Sequence, residues 1–162
     1  MAKSTDLVKF KNSKGLVETS DPESEKPLHR RPGFEGIINF QDMDHRIATY
    51  LQGAREKAGL SRAEFATMIG LATAVYGRYE RADSRITVTR LIHLCELLDV
   101  LPIDILSEVA PHLYGRTPEE AKDYVELTRI IRDLPHDTVR DLMGLLKRMT
   151  PEPASGNHSP NS

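Results

Sequence analysis

Residues 62–81 of this 162-residue chain read RAEFATMIGLATAVYGRYER. Phe65, Ala66 and Ile69 fall at helical spacing and give a first helix an apolar face, and Ala66 is small enough for a second helix to cross close by. Gly70 supplies a stop, because a chain leaving a helix commonly turns through a left-handed conformation that costs glycine little. Leu71 can plug the corner, and the pattern of Thr73, Val75, Tyr76 and Tyr79 then suits a second helix with the two tyrosines inward. Thr73, Ala74, Gly77 and Arg78 remain for the outer face, where a rod of this size could lie in the major groove of DNA. An ordinary helical hairpin would show the same short apolar pattern.

The flanking residues point to a larger domain, spanning about 42–108. Upstream, His45 to Ala58 carries Ile47, Leu51 and Ala54 at helical spacing and stops at Gly59. Ser61 then offers an N-cap, and Glu64 three residues on completes a capping box. Downstream, Thr87 to Leu98 holds Val88, Leu91, Ile92, Cys95 and Leu98 as another stripe, and Pro102 opens a short helix over Ile103 to Leu106. Five helices around one core are expected.

The order and spacing of LSRAEFATMIGLATAVYGRYE, followed by LCELLDVLPIDIL, resemble the Cro and lambda-repressor-like helix-turn-helix regulators, the XRE family, from about His45 to Leu106. The resemblance implies sequence-specific binding of double-stranded DNA, usually as a dimer, in transcriptional regulation. It implies a phosphate contact for Arg62, a groove-lining role for Thr73, Ala74, Gly77 and Arg78, and a match of Glu80 to the family's glutamate near the end of the recognition helix, about 73–81. The chain departs from the family pattern in three places. Gly77 stands where serine is frequent, Tyr76 replaces an aliphatic inward residue, and Ala82 and Asp83 occupy the place of a terminating glycine. Arg78 is the groove-facing residue suited to bidentate contact with guanine.

The net charge of -2 argues against a protein that coats nucleic acid by bulk charge. Locally the balance differs. Arg46 to Arg90 holds eight basic residues against four acidic ones, and Leu91 to Glu126 holds two against eight. A positive side carrying Arg62, Arg78 and Arg81 as DNA-binding candidates would orient the molecule on phosphates; chance clustering on solvated helix faces is the plainer alternative.

Residues 1–36 mix lysines and arginines with serines, prolines and acids and show little apolar periodicity, so they read as a flexible arm, and 150–162 read as a disordered tail. Thr117, Pro118 and Glu120 open a helix to about Asp133 whose apolar face would hold Tyr124, Leu127, Ile130 and Ile131. After Leu134 and Pro135 a second helix carries Val139, Leu142, Met143, Leu146 and Met149. A helical hairpin over 117–149 cannot make a core alone. It must cover its stripes either on its own chain or on a second copy, and a homodimer would match two-fold operator half-sites about 34 Å apart.

The six histidines lack ligand spacing, the lone Cys95 lies on an apolar stripe, and no glycine-rich phosphate loop or acid–base pair stands out. No catalytic residue, metal site or cofactor is expected, nor a membrane partner, since no apolar run approaches a bilayer span. The lone cysteine and the lack of a stretch resembling a secretory signal suit a cytoplasmic protein. The sequence thus predicts an all-α fold: a five-helix lambda-repressor-like DNA-binding domain, a C-terminal helical hairpin and disordered termini. It predicts a DNA-binding transcriptional regulator that is not an enzyme. The alternative is a protein-interaction module on the same scaffold, with weak or no DNA binding.

Overall fold

Most helices of the central domain begin at a side chain that pairs with a backbone amide of the first turn. In the computed structural model, which describes residues 2–149, Asn39 Oδ1 accepts from the Asp42 amide at 2.7 Å and opens α2. The elements in chain order are α1 (Ala2–Ser13), β1 (Val17–Thr19), β2 (Leu28–Arg30), α2 (Phe40–Lys57), α3 (Arg62–Met68), α4 (Thr73–Glu80), α5 (Val88–Leu98), α6 (Pro102–Val109), a 3-10 turn (Pro111–Leu113), α7 (Pro118–Asp133) and α8 (His136–Met149). The Ser61–Glu64 capping box forms in both directions, at 3.2 and 2.8 Å. Thr87 and Thr117 cap α5 and α7 by accepting from Arg90 and Glu120, each at 3.2 Å. For α6 the Asp104 carboxylate accepts from the Leu101 amide at 3.0 Å.

Helices α2 to α6 enclose one core of Leu51, Phe65, Ala66, Ile69, Tyr76, Leu94, Cys95 and Ile105. Phe65 and Tyr76 meet edge to face, 5.2 Å between centroids at 67°, a geometry worth roughly 0.5–1.5 kcal/mol beyond the area buried. Burial pushes the Cys95 thiol pKa up, which keeps it protonated and unreactive, a packing residue.

Two departures from expectation concern the N-terminal segment. The fold is mostly helical but not all-α: β1 and β2 pair antiparallel, Val17 opposite Arg30 and Thr19 opposite Leu28. Residues 2–36, expected as a flexible arm, carry α1 and this hairpin. The physical reason is the buried Asp21, whose carboxylate accepts from the Glu23 amide at 3.0 Å and from the Phe40 amide at 2.9 Å, tying the hairpin loop to the first turn of α2. Phe40 would otherwise present an orphan donor at the helix start. The expected tail over 150–162 lies outside the described residues.

The chain divides into two compact units, one running to Val125 and one beginning at Glu126. In the first, α7 buries Ala121 and Val125, one turn apart, rather than the expected stripe; Tyr124 stays half exposed. The connector backbone at Gly115 lies so close to the start of α7 that a Cβ there would lie 2.4 Å from the Ala121 amide nitrogen, which explains the glycine. In the second unit α8 buries no residue, and Leu127, Ile130, Leu142, Met143, Leu146 and Met149 are all exposed.

Candidate nucleic-acid interface

The turn between α3 and α4 is built as its residues require. Gly70 sits at φ +71°, and the Leu71 amide reaches back to the Ala66 carbonyl at 2.9 Å, closing the end of α3. Arg90 of α5 donates to the Ile69 carbonyl at 3.0 Å, so α5 latches the turn from outside. Ala72 then starts α4 without a side-chain cap.

Along α4, Tyr76 and Glu80 are buried, while Thr73, Ala74 and Arg78 are exposed on the opposite side. Gly77 does not line the outer face as expected; it is buried. The reason is that two arginines cross over it: a Cβ at Gly77 would lie 3.1 Å from Nη1 of Arg81 and 3.6 Å from Cδ of Arg62. The surface above Gly77 is therefore made of arginine side chains from α3 and from the end of α4.

Beneath them lies a feature that the sequence reading missed. Glu80, its side chain 1% exposed, accepts from Arg55 Nε at 2.6 Å, Arg55 Nη2 at 3.3 Å and Arg62 Nε at 2.7 Å. Burial opposes ionisation of this carboxyl, but the hydrogen bonds from Arg55 and then Arg62 outweigh it and hold its pKa below the ordinary value. The same pairing raises Arg55, so both partners stay charged. Tyr76 brings its hydroxyl close to this pair without a hydrogen bond in acceptable geometry. Burial, the largest cause, and the neighbouring Glu80 carboxylate push the phenol pKa up, so it remains neutral. Arg55 is one of the eight basic residues between Arg46 and Arg90, yet it is buried. Its place one turn after Leu51, on the buried side of α2 with Ala48, was the available signal.

The basic balance over Arg46–Arg90 is correspondingly reduced at the surface. Arg46 pairs with Glu35 at 3.0 Å, Arg81 with Asp83 at 2.7 Å, and Arg85 with both Glu23 and Asp44. Arg62 keeps a side chain 44% exposed although its Nε is held by Glu80. Arg78 and Lys57 have no ion pair or side-chain hydrogen bond among the described residues, so Arg78 is the uncommitted cation on the outward side of α4. At the end of α4, Ala82 takes φ +57°, the conformation that a glycine would adopt without strain.

Among the described residues no cluster of histidine, cysteine and acids could hold a metal ion, and no helix is long and apolar enough to cross a membrane. A family model described as helix-turn-helix matches residues 51–106, the stretch from the middle of α2 through the first half of α6. No curated protein matches the chain.

Proposed function

We propose that this chain, which carries a helix-turn-helix domain of the Cro and lambda-repressor-like (XRE) family over residues 51–106, is a cytoplasmic transcriptional regulator that reads duplex DNA with α4 in the major groove. The observation that carries the reading is the outward side of α4: Thr73 and Ala74 are exposed at an uncapped helix start, followed one turn on by the uncommitted Arg78. A free guanidinium there can bond O6 and N7 of guanine, and helix-start amides favour a phosphate. Arg62 and Arg81, crossing Gly77, supply flanking phosphate contacts.

The protein acts as a homodimer in this reading, with the exposed stripe of Leu142, Met143, Leu146 and Met149 on α8 covered by a second copy. A two-fold assembly is what a symmetric operator requires. The interaction-module alternative draws support from the internal pairing of Arg46, Arg55, Arg62, Arg81 and Arg85, which leaves a weaker positive field than the sequence count implies.

Selection of bound duplexes from a random pool at two salt concentrations tests the proposal. A recurrent motif is expected, and against it Arg78→Ala should cost about 1 to 3 kcal/mol and relax preference at one position. Arg62→Ala should weaken binding to all sequences and reduce the salt slope by about one. If no duplex is enriched at either salt, the interaction-module reading takes its place.

A further inference from the structure

A cavity of about 310 Å³ opens in the first compact unit, away from α4, among the loop after β2, the start of α2 and the segment joining α6 to α7. Its walls are largely apolar, with Phe34, Ile37, Ile38, Met43 and Val109 among them. The lining also includes three arginines, Arg30, Arg31 and Arg46, and one acid, Glu35. Glu35 is matched to Arg46 at 3.0 Å, which leaves two positive charges over.

These two are held differently. Arg30 is fixed: it donates to the Ile38 carbonyl, reaches the Met43 sulfur at 3.2 Å and lies 4.9 Å from the centre of the Phe40 ring. Arg31 has no ion pair or side-chain hydrogen bond among the described residues and lies exposed at the cavity. His112 completes the wall, its ring packed so closely on Gly33 that a Cβ there would lie 3.0 Å from Nδ1. Burial, then Arg31 and Arg30, hold the imidazole pKa below its ordinary value, so it adds a polar contact without a further charge at neutral pH.

An apolar space with a surplus of two cations favours an anion with a hydrocarbon body. A cation would meet the arginines unfavourably, and a purely hydrophobic molecule would leave them without a counter-charge. The volume stands at the small end of ligand cavities, which suits one ring or a short alkyl chain rather than a long lipid. We infer that this cavity is a binding site for a small organic monocarboxylate, its carboxylate on Arg31 and Arg30 and its apolar part against Ile37, Ile38 and Met43.

Calorimetric titration of the full chain with 4-phenylbutyrate and with octanoate, each compared with its neutral amide, tests the site. At least one carboxylate should saturate at one site per chain, with its amide tenfold or more weaker. Arg31→Gln, a change at an exposed side chain that should leave the circular dichroism spectrum unchanged, should weaken the carboxylate by about tenfold or more, the worth of one charge-assisted hydrogen bond. The amide should be unaffected. Failure of both carboxylates to saturate, equal binding of acid and amide, or unchanged affinity in Arg31→Gln would overturn the inference. None of these outcomes depends on whether α4 binds DNA.

Discussion

Replacing Glu80 by alanine should be among the most damaging single changes in the central domain. The substitution removes the acceptor of three hydrogen bonds and leaves the Arg55 guanidinium, 7% exposed, without its main counter-charge. Breaking a buried ion pair from one side typically costs about 3–5 kcal/mol. Arg55 retains the Leu60 carbonyl at 2.6 Å and Glu56 at 3.3 Å, so the lower end, about 3 kcal/mol, is the expected figure. Against a total stability of roughly 5–15 kcal/mol, and with about 4–8 °C per kcal/mol for a domain of this size, the melting temperature should fall by about 12 °C or more. Urea denaturation followed by circular dichroism gives the loss directly. A paired replacement, Glu80→Leu with Arg55→Met, should recover much of it, because the cost lies in the stranded charge rather than in the missing contact. A loss under about 1 kcal/mol, or a double variant no better than Glu80→Ala, would refute the account of Glu80 as a buried electrostatic tie.

The same carboxylate makes a pH signature. Its folded pKa lies below the ordinary 4.5, so its contribution is complete above about that pH and is lost as pH falls through the lower folded value. The melting-temperature gap between the parent and Glu80→Gln should therefore narrow on acidification below pH 4.5, and a constant gap would contradict the pairing. Ala82→Gly should raise stability by up to about 1 kcal/mol, since relief of the left-handed strain exceeds the added chain entropy; a lowered urea midpoint would show otherwise. The α8 stripe predicts that the parent sediments as a dimer and that Leu142→Asp with Leu146→Asp, both at exposed positions, sediments as a monomer with its helicity retained. A parent that stays monomeric at all accessible concentrations would remove the dimer from the proposal.

What could be read from the residues was mostly local. Gly70, the Ser61–Glu64 box and Thr87 act within four residues of themselves, and the helices they bound lie where the spacing puts them. Spacing alone starts this helix at His45, five residues after the observed Phe40, because the apolar stripe begins at Ile47 while the cap, Asn39, precedes any periodicity. Partners distant in sequence were not legible. The Arg55–Glu80 tie spans 25 positions and the Asp21–Phe40 bond spans 19, and neither residue type announces a partner in a single chain. On α4, Thr73, Ala74 and Arg78 are exposed as their helical phase requires, whereas Gly77 is buried. Phase alone ignores long side chains arriving from a neighbouring helix.

The double use of Arg62 has a consequence for speed and accuracy in any encounter with a polyanion. A lone surface arginine samples many rotamers and must surrender that freedom on contact, which costs on the order of 0.5–1.5 kcal/mol. Here the Nε grip of a carboxylate anchored on α4 has already restrained the side chain, while nearly half of it still meets solvent. A phosphate arriving at that surface would find a cation aimed in advance, its position slaved to the orientation of α4 itself. Backbone docking and base reading would then rise and fall together, so that a poorly seated α4 also forfeits its hold on the sugar-phosphate chain.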